Sequence, residues 1–299
     1  MRRLVHRFVS VGTVAALVMA WLVGALALGL ATDAGATATV ALMALGLLVG
    51  GVLLLIRHSL DLAARISNLG TESQRTLGTV RRIESVLSAE VKHTFRQIEA
   101  IQNLSAIIPT SDVLPTTRGW AASPDLLLVL VDQAITQRPS LVVECGSGAS
   151  TLWLALTLRR FGIDGRIVAL DHDPVFAGKT RDFLARHGVS DLAEVRDAPL
   201  EDYSLADGTY SWYARRAWED LTGIDLLFVD GPPQAGKSKA RYPALPLLRE
   251  ALNPAATVVL DDLVVPDMQE TLRLWLEACP EFGSEILPLE KQAALLRKG

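Results

Sequence analysis

Along this chain the alternation of hydrophobic and polar positions changes rhythm several times, and each change predicts a different kind of element. From Phe8 to Ala31, and again from Thr37 to Ile56, no charged residue interrupts the apolar run. A helix over the first run would be roughly 36 Å long at ~1.5 Å per residue, enough to cross a ~30 Å hydrocarbon core with some tilt. The second run is also long enough. The linker Thr32-Asp33-Ala34-Gly35-Ala36 between them carries no Lys or Arg, whereas Arg2, Arg3 and Arg7 precede the first run and Arg57 and Arg65 follow the second. The pattern predicts a two-helix transmembrane hairpin over residues 1–58, in a multi-pass protein of the cell membrane with both termini cytoplasmic. A cleaved signal peptide is the rival reading. The apolar region is longer than a signal core, and a second span follows at once.

From Ser59 to about Ile107 the spacing becomes helical. Leu62, Ile66, Leu69, Leu77, Val80, Ile83, Leu87, Val91, Phe95 and Ile98 fall mostly three or four apart, with no proline among them. This predicts a long amphipathic helix over 59–108, whose seam suits either a coiled coil, and so a homo-oligomer, or an extended stalk. Pro109, Pro115, Gly119 and Pro124 then mark the start of a third region, 109–299. Ser123-Pro124-Asp125 opens a helix. After it, short β-rich runs at 140–144, 166–170, 193–196, 225–229 and 256–260 alternate with helical patterns at 150–161, 174–187, 213–221, 244–251 and 267–279. Such alternation predicts a doubly wound, Rossmann-like α/β sheet. Two further runs, 284–288 and 292–297, are too close for a helical crossover and predict an antiparallel strand pair at one edge.

Half of the 299 residues are hydrophobic and the net charge is -4, so no basic surface for nucleic acid is expected. Cys145 and Cys279 are the two cysteines and each lies in or beside an apolar run, which fits buried thiols better than a disulfide. The five histidines make no zinc-ligand spacing with them.

In a sheet of this kind ligands bind beyond the carboxyl ends of the strands. The first strand runs into Glu144-Cys145-Gly146-Ser147-Gly148, where glycines allow a tight turn and a close backbone approach. The second ends at Asp171, placed to accept ribose hydroxyls, and the third at Asp197-Ala198, where a carboxylate can meet an exocyclic amine. These features, in this order, resemble the class I S-adenosylmethionine-dependent methyltransferases over roughly Leu114 to the end. The fourth motif of that resemblance is Asp225 to Pro233, and Gly119–Pro124 and Arg241–Pro246 look like a bacterial subgroup acting on small molecules. The resemblance implies S-adenosylmethionine as cofactor. It gives Glu144, Gly146, Ser147 and Gly148 to the methionine part, Asp171 to the ribose, and Asp197 with Ala198 to the adenine.

On the acceptor side Asp230 ends the fourth strand and Asp261-Asp262 the fifth. If those strands are neighbours, three carboxylates converge, and close carboxylates repel unless a proton or a cation intervenes. The arrangement is similar to catechol-type, metal-dependent O-methyltransferases, which implies Asp230, Asp261 and Asp262 as ligands of Mg2+. Those enzymes carry a lysine three residues after the first acid, and here Pro233 stands there. The alternative makes Asp230 a general base without metal. The whole predicts a membrane-anchored enzyme that O-methylates a small-molecule, sugar or lipid-linked hydroxyl. A catalytically inactive membrane scaffold, an NAD-binding Rossmann protein, and a P-loop at Gly231–Ser238 are the competing readings. Pro243 would break the helix a P-loop needs.

Overall fold

The computed structural model describes residues 10–31, 35–110, 112–205, 208–234 and 238–299. Arg2, Arg3 and Arg7, the linker residues Thr32–Ala34, and Gly236 and Lys237 of the P-loop reading lie outside them. The chain divides between Ser88 and Ala89 into two compact units.

In the first unit, α1 (Val11–Ala31, 21 residues) is followed by α2 (Ala36–Ile107), a single helix of 72 residues that runs on past the unit boundary. The expected second span and amphipathic helix are therefore one uninterrupted element. Both helices are long and apolar enough to cross a membrane. The start of α2 packs on α1 through small residues. The Trp21 indole donates to the Leu42 carbonyl at 2.8 Å, and a Cβ on Gly46 or Gly50 would collide with Trp21 or Val18. Glycines four apart let two backbones approach, which is how helices associate where no water drives them together. Leu17, Met19, Val23, Leu28, Leu47 and Leu55 point outward.

The second unit begins with the last turns of α2, where Ala100, Leu104 and Ile108 are buried against α3 (Pro124–Gln137). The Gln97 side chain accepts from the Asp125 amide, and Asp125 in turn accepts from Ser123 Oγ and from the Leu126 amide in the first turn of α3. Then come β1 (Leu141–Cys145), α4 (Ala149–Phe161), β2 (Arg166–Asp171), α5 (Pro174–Arg186), β3 (Ala193–Asp197), β4 (Leu200–Leu205) and β5 (Gly208–Tyr213). They are followed by β6 (Ile224–Val229), α6 (Ala244–Leu248), β7 (Leu252–Leu260), α7 (Pro266–Ala278), β8 (Phe282–Leu287) and β9 (Ala293–Lys298).

Seven strands form one sheet in the order β3-β2-β1-β6-β7-β9-β8. The first five in that order pair in parallel, and β9 runs antiparallel to both neighbours. Alternation along β1 sends Val143 and Cys145 into the core on one face of the sheet and Val142 into the core on the other. Strand order reverses between β1 and β6, the switch point at which such sheets open a crevice for ligands.

The doubly wound sheet and the antiparallel strand pair at one edge are as the sequence predicts, with β9 between β7 and the edge strand β8. Two expected helices need correction. The expected helix over 213–221 is instead the end of the β4–β5 hairpin followed by a 3-10 turn at Arg215–Ala217. Here Tyr210 and Trp212 are buried on either side of the part-exposed Ser211, a period of two that a helix cannot reproduce. The helix expected over 244–251 is α-helical only to Leu248 and tightens into a 3-10 turn, because β7 already begins at Leu252.

Candidate active site at the carboxyl edge of the sheet

The carboxyl ends of five adjacent strands are stitched together by backbone hydrogen bonds just past their last ladder positions. Ala198 N donates to Asp171 O at 2.7 Å, Gly146 N to Leu170 O at 2.9 Å, Asp230 N to Cys145 O at 3.0 Å, and Asp261 N to Val229 O at 3.2 Å. Every residue expected at the site, from Asp197 to Asp262, therefore stands along one edge, in the order the sheet dictates.

On the β1–β2 side, the turn after β1 depends on Gly146 at φ 103°, a conformation costly for any residue with a Cβ. Gly148 then opens α4, its amide donating to Thr151 Oγ1 at 3.1 Å. Ser147 Oγ donates to Asp171 at 2.6 Å, and the Asp173 amide donates to the other Asp171 oxygen at 3.0 Å. Asp171 is thus buried and aimed by neutral donors. Glu144 differs. It is fully buried and neither carboxylate oxygen has a hydrogen-bond partner among the described residues. Burial pushes its pKa up to about 7, against the weaker pull of the nearby Thr151 and Ser150 hydroxyls.

At the end of β3, Asp197 is largely exposed and paired with Arg181 at 2.8 Å, and the Ala198 amide is taken by Asp171 O. The second Asp197 carboxylate oxygen lies outside that ion pair, while Ala198 is buried. His172 sits 3.7 Å from Asp171.

On the β6–β7 side, one oxygen from each of Asp230, Asp261 and Asp262 lies within 4.8 Å of the others, so the expected carboxylates do converge. They converge on an arginine. Arg241 Nη2 lies 3.0 Å from Asp230 Oδ1 and 2.8 Å from Asp262 Oδ2, and Nη1 donates to the Asp261 carbonyl at 3.2 Å. Lys291 Nζ adds a contact to Asp262 Oδ1 at 3.4 Å. Asp262 holds a left-handed backbone, φ 67°, which aspartate tolerates better than most residues and which turns its carboxylate back toward Arg241. Burial pushes the pKa of Asp230 up while Arg241 pulls it back; burial and the two neighbouring acids push that of Asp261 up. Three acid oxygens suit Mg2+ in kind. Mg2+ needs oxygens at ~2.0–2.1 Å around an otherwise empty point, and the space between Asp230 and Asp262 is filled by the guanidinium. In this arrangement a metal does not fit.

The sequence reading gave no site role to Arg241 or Lys291. The signal for the first was present: three acids in want of a positive charge, with Arg241 the next arginine after β6. Tyr213 comes from the β4–β5 hairpin, whose aromatic side chains Tyr203, Tyr210 and Trp212 pack into the core with it. Its buried hydroxyl, without a partner among the described residues, lies against Gly231, where a Cβ would collide with it and would stand 3.0 Å from the Cys145 carbonyl. Gly231 lets β1, β6 and the hairpin close up behind the crevice. No helix follows Gly231–Ser238 directly; turns lead to the short α6, so the P-loop reading fails.

Residues 143–263 match the family model described as a methyltransferase domain. A catechol O-methyltransferase of Mycobacterium tuberculosis is 30% identical over 164 residues, covering 54% of this chain and 64% of that protein. The chain thus spans somewhat under two thirds of the curated relative it matches. Among solved structures, an O-methyltransferase of Bacillus cereus in complex with SAH aligns at 20% identity and TM-score 0.45, over 68% of this chain and 90% of that one. The SAH-bound methyltransferase PaMTH1 of Podospora anserina aligns at 16% identity and TM-score 0.48, over 68% and 87%.

Proposed function

We propose that this chain is a membrane-anchored S-adenosylmethionine-dependent O-methyltransferase whose acceptor is a hydroxyl on a small molecule, a sugar or a lipid-linked glycan. The observation that carries the donor half is Glu144, a buried carboxylate without a partner beside the Gly146–Gly148 turn. S-adenosylmethionine brings an ammonium and a sulfonium, and Glu144 supplies the charge that its methionine end needs. Asp171, held by Ser147 and the Asp173 amide, takes the ribose hydroxyls; Asp197 and Ala198 flank the adenine.

At the acceptor end Asp230 acts as general base. The acceptor oxygen attacks the methyl carbon in line with the carbon–sulfur bond, that bond's electron pair returns to sulfur as S-adenosylhomocysteine leaves, and the hydroxyl proton passes to Asp230. Burial shifts Asp230 toward the neutral range, where a base is most effective. The rest of the rate enhancement is alignment of donor and acceptor. The name of the mycobacterial relative, a catechol O-methyltransferase, supports oxygen as the acceptor atom.

For the anchor, the outward-facing aliphatic side chains of α1 and the start of α2 would be costly in water and are at home in lipid. Arg57 and Arg65 after the second span support a catalytic domain on the cytoplasmic side. Calorimetric titration with S-adenosylmethionine tests the donor site, and an absence of heat at high protein concentration would leave only the inactive-scaffold reading. A reporter fused after Gly299 tests the topology; activity outside the cytoplasm would overturn the two-span anchor.

A further inference from the structure

We infer that Arg241 is the resident cation of the acceptor site, occupying the place a divalent metal would take, so that this transferase works without one. The catalytic meaning of this inference rests on the methyltransferase reading above; the charge arrangement does not.

The argument begins with three carboxylates on neighbouring strand ends, one oxygen of each within 4.8 Å of the others. Left alone, such a cluster repels itself and draws a cation from solution. Here the chain provides its own. Arg241 is buried, and its Nη2 bridges Asp230 and Asp262 at 3.0 and 2.8 Å while Nη1 reaches the backbone of Asp261. A planar guanidinium with several fixed donors matches carboxylate oxygens in a way an ammonium cannot. The fold holds the group in place. Arg241 lies in the turn before α6, whose next residue, Tyr242, accepts the Trp275 indole N–H through its carbonyl at 2.7 Å. Upstream, Asp267 accepts from Gln234, Ser238 and the Lys239 amide, tying the same segment to the start of α7.

An arginine and a metal do different chemistry. A metal binds acceptor oxygens directly and lowers their pKa. The guanidinium donates hydrogen bonds, keeps a single charge, and positions Asp230 by its Oδ1, leaving the other oxygen of that carboxylate to the acceptor. Arg241 is a positioning residue for Asp230 and Asp262, and it reaches Asp261 only through the backbone carbonyl.

The test is a Mn2+ titration followed by electron paramagnetic resonance, on the full chain purified in detergent, with neither donor nor acceptor present. The wild-type protein is expected to leave Mn2+ as the free ion, and Arg241→Ala to take up one Mn2+ per chain, lost again when Asp262→Asn is added. Arg241→Lys, which keeps the charge, should bind none. Stoichiometric Mn2+ binding by the wild type, abolished by Asp262→Asn, would overturn the inference, as would a folded Arg241→Ala chain that gains no site. Should Arg241→Ala not fold, the wild-type titration decides alone. In a methyl-transfer assay, exhaustive chelation should leave the wild-type rate unchanged. Failure to bind S-adenosylmethionine would count against the enzyme reading without touching the Mn2+ result, so the two proposals fail separately.

Discussion

The two halves of the crevice solve the same electrostatic problem in opposite ways. Both bury carboxylates at strand ends. On the β1–β2 side Asp171 is satisfied by neutral donors, while Glu144 is buried with only the weak pull of the Thr151 and Ser150 hydroxyls and stays open to a cation from outside. On the β6–β7 side Asp230 and Asp262 close on Arg241 and Lys291, and Asp261 Oδ2 alone stays buried without a hydrogen-bond partner among the described residues. Buried charges are costly unless paired. A buried carboxylate left unpaired is open to a ligand or a proton; one paired by the protein has its geometry fixed in advance.

The sharpest way to break this comparison is at Asp230. Replacing it by Asn removes the proposed base, and kcat should fall by about 10^2–10^4-fold with S-adenosylmethionine affinity little changed. Equal losses in both would return Asp230 to the donor half. Asp171→Ala should do the reverse. Two charge-assisted hydrogen bonds to ribose, each worth ~1.5–3 kcal/mol, would go, and titration calorimetry should see most of the donor affinity disappear.

Glu144→Gln sharpens the contrast, because its effects on stability and on binding have opposite signs. A folded-state pKa raised to about 7 means that the folded domain holds a proton that the unfolded chain has already released. Stability is therefore lost as pH rises from the ordinary carboxyl range through about 7, and is constant above. At ~1.4 kcal/mol per unit, the ligand-free Gln variant should be more stable than wild type by about 3 kcal/mol at pH 8 and by little at pH 4.5. Thermal melts at the two pH values, repeated with S-adenosylmethionine, check this. The ligand should stabilise wild type and leave the variant unmoved. The smallest effect belongs to Asp197→Ala. Asp197 is exposed and already shared with Arg181, so donor affinity should drop by less than about fivefold, the scale of a surface ion pair. A loss as large as that of Asp171→Ala would show that the adenine is held by this carboxylate far more firmly than its exposure allows.

Much of this arrangement was legible in the residues. Strand and helix periods, with Gly146, Asp171 and Asp230 each following a strand, fix a parallel sheet and the edge where ligands bind, because ladder hydrogen bonds leave the chain little choice of where those residues stand. What escaped was set by contacts distant in sequence. Tyr210 and Trp212 alternate like a strand, but the segment after them carries Arg215, Arg216 and Trp218 at spacings a helix would also accept; only packing on the core decides. Arg241 reads as a loop arginine until β6 and β7 are known to be neighbours. The position of β9 inside the sheet depends on burying Leu295 and Leu296, a preference that strand periodicity cannot rank.

That last feature bears on how the protein is made. β8 pairs with β9 alone, and β7 has β9 on its outer side. While a ribosome is still translating residues 293–298, β8 can find no partner and β7 shows an open flank of amides and carbonyls beside the acid cluster. Such a flank invites pairing with another chain. The nascent domain can settle around β1 and β6 early, but its acceptor half closes only with the last strand. A stop codon or frameshift before Ala293 would thus remove two strands rather than one, and would leave the newly made chain with a sticky margin in place of a finished site.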